Sequence, residues 1–375
     1  MASTRRPRHQ HPTVVLFRVV DPTYPRARRV RQVLDEVTGG RVLTVVPSRA
    51  SSFLVRCVID AVRLWAGSQR GDVILLGEMQ LASAPVAALV GRLRRCRVVV
   101  DGFIGLYETY VEDWQVTRPG TLRARRYGFQ DAMALWAADF YLVDTEPRAA
   151  ALRRRVRGRR QVVALQVGAP SWARPLPRDA DTELRILYYG GYIPLHGIGT
   201  VVRALAVLAR STPFRATFVG AGAAREGVRA DVLARGLGHR VTFLDPVPES
   251  DLVDLLAGHD VVLGVFGTSR KAAGVVANKV WQGLACGRRV VTRRSEALAP
   301  LRPVVGDALV EIEPGDPTAL ASALARAAEL PSPQGPRAAE RLEELVDTSF
   351  DELRDWLVRA GVAPSGQTTQ TEVTR

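Results

Sequence analysis

The chain has 375 residues, of which 47% are hydrophobic and 24% are charged, and its formal net charge is +14. This composition is typical of a soluble globular protein and excludes a disordered chain, and no apolar run reaches the roughly 18 residues that a membrane span needs. The length is sufficient for two domains of ordinary size.

The first half of the sequence alternates short apolar runs, rich in β-branched residues, with amphipathic stretches. The runs predict strands at residues 13–20, 41–46, 72–76, 97–101, 139–143 and 161–167. The stretches predict helices, for example at residues 51–66, 81–93 and 122–138. Strands that are apolar on both faces and alternate with helices indicate a parallel sheet covered on each side.

Two loops of this half carry polar side chains just after a predicted strand. The loop DPTYPRARR follows the first strand and places three side chains where they would face a cleft: Asp21, Tyr24 and Arg26. The segment DGFIGLYETYVED begins at a strand end and carries four carboxylates: Asp101, Glu108, Glu112 and Asp113. Carboxylates at a strand end could orient substrate hydroxyls. For Glu112 and Asp113, helix capping or pairing with arginine is an equally good interpretation.

The segment GAPSWARPLPRDADTE is rich in proline and polar residues and predicts a linker between two domains. Its Asp179 and Asp181 could hold a divalent ion against a diphosphate, but no strand leads to them, which favours solvated carboxylates instead. His9 and His11 are terminal, and no other spacing of histidine or cysteine suits a metal. The absence of G-x-S-x-G and of GxxxxGK[ST] from the sequence argues against a hydrolase elbow and a P-loop.

The second half repeats the alternation, with strands predicted at residues 184–189, 215–219, 240–244, 260–265, 289–292 and 308–312. The predicted organisation is a first domain at 1–168, a linker at 169–182, a second domain at 183–346, a helix at 347–361 that packs back across the domains, and a disordered tail at 362–375. Two doubly wound domains leave a cleft between their carboxyl edges, where ligands commonly bind.

Two glycine turns follow the first strands of this half. In YYGGYIPLHGIGT, backbone at Gly190 and Gly191 could approach a phosphate or sugar closely, and His196 stands just before a helix start. A plain turn with a surface histidine explains the same pattern. FVGAGAAREG has Arg225 where a dinucleotide fingerprint needs a third glycine, which argues against a nicotinamide or flavin site.

The stretch GTSRKAAGVVANKVWQGLACGRRVVT, residues 267–292, predicts a loop, a short helix from about Asn278 that ends at Gly287, and a strand. The chain has 50 arginines and only two lysines, and both lysines lie in this stretch. Lysine binds phosphate as a flexible point charge, and a helix start favours an anion. The predicted diphosphate ligands here are Arg270, Lys271, Asn278 and Lys279; two solvated surface lysines are the alternative.

Positive charge is concentrated in residues 1–180, with a net charge of +15 against −1 for residues 181–375. A basic half implies an anionic partner, which could be a phosphorylated substrate, an anionic lipid surface or nucleic acid. The cysteines Cys57, Cys96 and Cys286 have no paired spacing, which predicts a reduced, cytoplasmic setting.

These segments resemble a family. The second half resembles the donor-binding domain of a family 4 glycosyltransferase, a retaining enzyme of the two-domain GT-B fold. The resemblance is carried by YYGGYIPLHGIGTVVRAL, FVGAG, VTFLDPVPESDLVDLLAGHDVVLGVFG and KAAGVVANKVWQGLACGRRVVT, in that order. The first half matches more faintly, through the YPR loop, VVVDGFIGLYET, AADFYLVDT and VGA. The resemblance implies an α/β protein with two facing Rossmann-like, doubly wound domains and a cleft between them.

The resemblance also assigns roles to residues. The donor diphosphate would bind at Gly190, Gly191 and His196, where many relatives carry an arginine and a lysine. The two family glutamates, eight positions apart, fall on Gly274 near the sugar and on Gln282 at the ribose. Gln282 can still hydrogen-bond ribose hydroxyls, whereas Gly274 cannot replace a carboxylate. The identity of the sugar is therefore open.

The implied reaction moves a sugar from a nucleotide-diphosphate sugar to a hydroxyl acceptor with retention and without a metal or cofactor. Asp101 is the predicted residue that orients the sugar or acceptor hydroxyl, and Asp21, Tyr24, Arg26 and Glu108 are predicted on the acceptor side. The basic half predicts an anionic or lipid-linked glycan, or a small-molecule aglycone, as acceptor, with peripheral contact to an anionic inner membrane surface. Arginine used only for solubility is the competing explanation.

Two other interpretations remain open at this point. Because both family glutamates are replaced, the chain could bind nucleotide sugars without turning them over. The basic half could bind nucleic acid, although its arginines are scattered over several helices without a recognised module or aromatic platform.

Overall fold

The computed structural model of the chain describes residues 12–19, 21–156, 160–177, 183–330 and 336–362. Asp179, Asp181, most of the predicted tail and the N-terminal histidines lie outside the described residues. Among the helices of the described residues, none has the length and apolar character needed to cross a bilayer.

The first domain is built on a parallel six-stranded sheet. Its strands are β1 (Val14–Phe17), β2 (Val42–Val45), β3 (Val73–Leu76), β4 (Arg97–Asp101), β5 (Phe140–Val143) and β6 (Gln161–Ala164), in the order β2-β1-β3-β4-β5-β6. Its helices are α1 (Pro25–Thr38), α2 (Phe53–Gly67), α3 (Ala84–Arg94), α4 (Leu122–Ala137) and α5 (Glu146–Arg153), with a π-helical turn at Glu108–Asp113. The register is set by matched apolar residues, with Val14 opposite both Val42 and Val73.

The second domain contains the second parallel six-stranded sheet. Its strands are β7 (Leu184–Tyr189), β8 (Phe214–Val219), β9 (Val241–Leu244), β10 (Val261–Leu263), β11 (Arg289–Arg293) and β12 (Leu309–Ile312), in the order β12-β11-β10-β7-β8-β9. Its helices are α6 (Ile198–Leu208), α7 (Arg225–Ala234), α8 (Glu249–Ala257), α9 (Arg270–Gly274), α10 (Asn278–Ala285), α11 (Arg302–Val305) and α12 (Pro317–Glu329).

All twelve predicted strands are present, and the predicted fold of two doubly wound α/β domains is confirmed. The reason is that the strands are buried on both faces, so apolar β-branched runs mark them reliably. The segment before α10 was predicted as a loop, whereas the structure has the short helix α9 within it. Ser269 caps this helix by accepting a 3.1 Å hydrogen bond from the amide of Ala272.

Each sheet has a point where the order of strands reverses. In the first domain the reversal lies between β1 and β3, and in the second it lies between β7 and β10. Loops that leave neighbouring strands on opposite faces open a crevice there, at the carboxyl ends of the strands. The two reversal points therefore fix where ligands are expected in each domain.

Two C-terminal helices, α13 (Pro336–Ser349) and α14 (Asp351–Arg359), complete the structure. Helix α13 packs on α10 and α11 of the second domain, and α14 packs on α1 of the first. The rings of Phe140 and Trp356 lie 5.0 Å apart, and Ser349 accepts a 3.0 Å hydrogen bond from the amide of Gln166. One continuous apolar core therefore runs through these helices into both domains.

Candidate active site

The two domains meet through segments that follow the carboxyl ends of their strands. In the second domain this is the stretch between β10 and α10. The side-chain amide of Asn278 donates to the hydroxyl of Tyr24 over 3.3 Å, and the hydroxyl of Thr145 donates to the carbonyl of Gly274 over 2.6 Å. Tyr24 follows β1 and Thr145 follows β5, so the carboxyl edges of the two sheets face each other across a cleft.

A glycine turn lies at the end of β7, beside the reversal point of the second sheet. Gly190 has a φ of +127°, a conformation that favours glycine. A Cβ atom at Gly190 would lie 3.1 Å from Cε1 of His196 and 3.4 Å from Nζ of Lys279. Three predicted diphosphate ligands, Gly190, His196 and Lys279, are therefore brought together, and the hydroxyl of Tyr188 fixes the turn by donating to the carbonyl of Gly191.

Lys279 presents a buried ammonium group to this turn. The residue is only 4% exposed, Nζ lies 4.3 Å from the centre of the Tyr188 ring, and Nζ makes no hydrogen bond to any described residue. Burial lowers the pKa of Lys279 to about 7, because a buried cation without a counter-charge is unfavourable. A diphosphate oxygen at this position would supply that counter-charge and restore the charged form.

His196 is neutral in this environment. Burial, together with the neighbouring Lys279, lowers its pKa to about 3. Its Nδ1 contacts the carbonyl oxygen of Gly191 and lies 3.0 Å from the hydroxyl of Tyr188. Because a carbonyl only accepts, Nδ1 carries the proton and Nε2 is an acceptor. The ring therefore adds no positive charge, and it suits a hydroxyl group better than the phosphate contact predicted from the sequence.

Helix α10 begins beside the glycine turn, as the sequence predicted. Its N-cap residue, Ala277, provides no capping side chain. Among the first-turn amides, that of Val280 donates to the carbonyl of Ala277 over 2.8 Å. Such a helix start favours an anion. One turn further along, Gln282 is buried, and its Oε1 accepts a 2.7 Å hydrogen bond from the hydroxyl of Tyr189. This bond leaves the amide nitrogen of Gln282 available to donate, and its predicted contact with a ribose oxygen stays a prediction.

Lys271 and Arg270 pair with carboxylates of the first domain. The buried ammonium of Lys271 lies 3.1 Å from Oδ2 of Asp113 and 3.2 Å from Oγ1 of Thr109. Arg270 pairs with Glu112 over 2.7 Å at an exposed position. Lys271 was predicted as a diphosphate ligand, but its charge is already satisfied by Asp113 across the domain interface, which argues against that role. The exposed pair of Arg270 is weak and leaves its prediction open.

Gly274 lies against an arginine of the first domain that the sequence analysis did not single out. A Cβ atom on Gly274 would lie 3.3 Å from Cγ of Arg148. The guanidinium of Arg148 is held by the carboxylates of Asp144 and Glu108 and by the carbonyl of Phe103. A glutamate at position 274 would require Arg148 to move. Glu108, predicted on the acceptor side, is therefore part of an ion pair beside Gly274.

Arg26 and Asp101 form a buried ion pair inside the first domain. Nε of Arg26 lies 2.8 Å from Oδ2 of Asp101, and the guanidinium also donates to the carbonyls of Leu165 and Val143. Arg26 is fully buried, so the prediction that it faces the cleft is wrong. Asp101 is 1% exposed and also accepts from the amide of Phe103. Its surroundings favour a structural role, and its catalytic role stays a prediction.

The remaining acceptor-side candidates are Asp21 and Tyr24. Asp21 is exposed, and its carboxylate accepts from the amide and the hydroxyl of Thr23, which lowers the pKa of Asp21. It therefore shapes the turn before α1. Tyr24 is the candidate that touches the second domain, through Asn278, and burial raises its pKa.

A carboxylate that sequence reasoning missed lies at the reversal point of the first sheet. Glu78 follows β3, is 5% exposed, and lines a cavity of about 540 Å³ with Pro22, Gly77 and Asp101. Burial, followed by the charge of Asp101, raises the pKa of Glu78 to about 7. The signal was present in LLGEMQ, an acid placed just after an apolar strand. A carboxyl group that titrates near neutrality in a cavity is a functional candidate.

A larger cavity of about 700 Å³ lies in the first domain between α4 and α5. Its lining includes the apolar side chains of Leu135, Trp136 and Leu152, and it reaches Gly274 of the second domain. No cluster of three or more metal-ligating side chains occurs among the described residues. The candidate site is thus a cleft with one unpaired buried cation, flanked by two cavities of the first domain.

The second domain matches a known protein family. Residues 183–329 match the family model described as "Glycosyl transferases group 1". No curated protein matches the chain at a significant level. The matched residues include Gly190, His196, Lys279 and Gln282.

Solved structures resemble the whole chain. Sucrose-phosphate synthase from Thermosynechococcus elongatus has a TM-score of 0.68 at 18% identity, covering 93% of this chain and 100% of that chain. HepE from Anabaena, solved in complex with UDP and glucose, has a TM-score of 0.65 at 14% identity, covering 93% and 99%. The lipopolysaccharide outer core galactosyltransferase WaaB has a TM-score of 0.63 at 10% identity, covering 94% and 99%. At these identities the likeness shows the fold of the chain.

Proposed function

Because the chain has the two-domain GT-B fold and its second domain matches the glycosyl transferases group 1 family, we propose that it transfers a sugar from a nucleotide-diphosphate sugar to a hydroxyl acceptor. The observation that carries this proposal is the buried ammonium of Lys279, which has no hydrogen-bond partner among the described residues and lies beside the side-chain-free turn at Gly190. Retention of the anomeric configuration and independence from metals are parts of the same proposal.

The proposed chemistry follows from where charge develops. The bond between the anomeric carbon and the diphosphate oxygen breaks, and negative charge grows on the departing diphosphate. Lys279, which is buried, and the first-turn amides of α10 stabilise that charge. The acceptor oxygen bonds to the anomeric carbon from the same face, and its proton passes to the leaving phosphate oxygen. This step needs no side-chain nucleophile and no metal.

The remaining donor contacts are assigned by position. Gln282 would donate from its amide nitrogen to a ribose oxygen, and Nε2 of His196 would accept from a hydroxyl of the sugar. Near Gly274, the fixed guanidinium of Arg148 occupies the region where relatives place a carboxylate. Because Asp144 and Glu108 neutralise that guanidinium, this region offers the donor sugar no free positive charge. UDP is the first nucleotide to test, because HepE binds it.

For the acceptor, the cavity at Glu78 is the better-supported of the two cavities. It lies at the reversal point of the first sheet, and the Glu78 carboxyl can donate or accept a hydrogen bond near pH 7. Arg28 and Arg31 also line it, but they pair with Glu249 and Asp35. The preference for a negatively charged acceptor therefore rests on the net charge of +15 over residues 1–180. We therefore propose an anionic or lipid-linked glycan as acceptor, with a small-molecule aglycone as the alternative.

The test is a panel of nucleotide-diphosphate sugars, scored first by thermal shift and then by transfer. A true donor at 100 times its dissociation constant should stabilise the protein by about 2.7 kcal/mol. Release of nucleoside diphosphate with formation of a glycoside supports the proposal. Failure of every nucleotide sugar to shift the melting temperature would remove its basis.

A non-catalytic nucleotide-sugar-binding protein is the second candidate. The observation that favours it is the replacement of both family glutamates, by Gly274 and Gln282. The same panel separates the two functions, because a binding protein would show the thermal shift without release of nucleoside diphosphate in the presence of any acceptor.

A further inference from the structure

Helix α2 turns an apolar stripe toward solvent. Leu54, Val58 and Val62 follow one another at four-residue spacing and are 73%, 63% and 63% exposed. Residues at this spacing share one helix face, and Trp65 continues it. The opposite face buries Leu64 together with the carboxylate of Asp60. A helix on the surface of a globular domain normally turns its apolar face toward the core and its polar face toward solvent.

The stripe continues over two neighbouring helices. Helix α2 packs beside α3, and α3 packs beside α4, on one side of the first sheet. On α3 and α4 the exposed large apolar side chains are Leu89, Leu93, Leu122, Phe129 and Trp136. We call this surface of α2, α3 and α4 the α2–α4 face. Monomeric proteins rarely expose large apolar patches, so this number of exposed large apolar side chains on three adjacent helices indicates a partner.

The charges on the α2–α4 face have one sign. The three helices carry seven arginines: Arg56, Arg63, Arg92, Arg94, Arg123, Arg125 and Arg126. Their two acidic residues point inward, because Asp60 pairs with Arg18 and Asp131 accepts from the amides of Leu106 and Tyr107. Arginine and aromatic side chains also interleave, with the Arg94 guanidinium 3.8 Å from the centre of the Trp65 ring.

We propose that the α2–α4 face docks on the surface of an anionic phospholipid bilayer. The aliphatic stripe would enter the acyl boundary, and the arginines would meet lipid phosphates. A second copy of the chain fits less well, because a symmetric contact would place arginines against arginines. Nucleic acid fits less well, because an aliphatic stripe gains nothing from a phosphate backbone.

The cavity between α4 and α5 supports the choice of a membrane. Trp136 belongs to the α2–α4 face and also lines that cavity, which reaches Gly274 at the interdomain cleft. A face in contact with lipid would therefore be continuous with a route to the cleft. Docking on a membrane does not depend on glycosyl transfer. The docking proposal and the proposed transfer function can therefore be tested, and can fail, separately.

The experiment is co-sedimentation of the full chain with vesicles of phosphatidylcholine alone or mixed equally with phosphatidylglycerol. We expect binding to the mixed vesicles only. The variant Leu54→Gln/Val58→Gln/Val62→Gln should lower the partition coefficient at least about 30-fold, since each lost aliphatic group removes buried apolar area. The variant Arg56→Gln/Arg63→Gln/Arg126→Gln should lower it about 100-fold, at roughly fivefold per arginine.

The matched control is Arg229→Gln/Leu233→Gln on α7 of the second domain, which removes an exposed arginine and an exposed leucine elsewhere. It should bind vesicles as the unaltered chain does. Glutamine is a good helix former, and the altered side chains are exposed, so circular dichroism and melting temperatures should be unchanged. Brominated acyl chains should quench tryptophan fluorescence, and Trp65→Phe should reduce that quenching.

Several outcomes would overturn the proposal. These are failure to bind mixed vesicles, equal binding by both triple variants and the unaltered chain, or binding without bromine quenching. Self-association that disappears in the Leu54/Val58/Val62 variant, without vesicle binding, would assign the face to a second copy.

A normal thermal shift with nucleotide in the same variants would show that the donor site is intact.

Discussion

Replacement of Lys279 by methionine tests the donor site most directly. Methionine has a similar length and keeps the apolar contact with Tyr188, but it removes the ammonium that lies 4.3 Å from the centre of that ring. Because Lys279 is 4% exposed, solvent screens the lost interaction little. A hydrogen bond between an ammonium and a phosphate contributes about 1.5–3 kcal/mol. We therefore expect nucleoside diphosphate to bind roughly 10- to 150-fold more weakly, with a larger loss in transfer rate.

The pH dependence gives a sharper signature than affinity alone. The pKa of Lys279 is lowered to about 7, so the free protein loses the ammonium as the pH rises through 7. Since the anion binds the charged form, affinity should fall by up to about tenfold for each pH unit above 7 and should level off below it. The methionine variant should lack this slope. Isothermal titration with UDP, or with the best nucleotide of the panel, at pH 6 to 9 measures both.

Lys271→Met is the matched control, because it makes the same substitution at the other lysine. It leaves Asp113 buried without a partner and should lower the free energy of unfolding by about 3 kcal/mol while keeping the slope of affinity with pH. The methionine variant of Lys279 should not be destabilised, since a buried unpaired cation is itself unfavourable. Unaltered affinity with an unaltered slope in Lys279→Met would refute the role assigned to this residue.

Two further predictions concern the acceptor side and metals. The folded-state pKa of Glu78 is raised to about 7, so the folded protein holds a proton that the unfolded chain has already lost, and stability falls as the pH rises toward 7. Glu78→Gln should therefore raise the free energy of unfolding by about 3 kcal/mol at pH 8 and by almost nothing at pH 4, measured by urea unfolding; a pH-independent difference would contradict the pKa. Transfer should persist in excess chelator, because Lys279 and helix amides supply the positive charge; abolition by chelator with rescue by magnesium or manganese would contradict this.

The sequence was sufficient for the fold because each buried strand leaves a local signal. The runs around β1, β3 and β10 are apolar and β-branched whatever they pair with, and loops that follow parallel strands must meet at one edge. This reasoning also grouped Gly190, His196 and Lys279 correctly. Glu78 carried the same signal as Asp101, a carboxylate after a strand, and could have been found with it.

Other features depend on contacts between residues that are distant in sequence. Lys271 and Lys279 are eight positions apart in one segment and cannot be distinguished locally, yet one meets Asp113 of the other domain and the other meets the face of Tyr188. The burial of Arg26 depends on carbonyls of β5 and of the segment after β6. Net charge predicted an anionic partner for the first domain but not that α2 would turn its apolar stripe outward.

The buried pair of Lys271 and Asp113 also bears on how long ligands stay in the cleft. The pair joins the two domains and is shielded from solvent, unlike the exposed interdomain pairs Arg270–Glu112 and Arg28–Glu249. Separating the domains would break this pair, and because the pair is buried, dissolved salt would screen it little. If release of product requires the domains to separate, the strength of this pair limits the rate of release. Stopped-flow release of the nucleoside diphosphate that binds best in the panel should therefore be faster in Asp113→Asn than in the unaltered chain, although Asp113 is committed to Lys271 and not to the ligand.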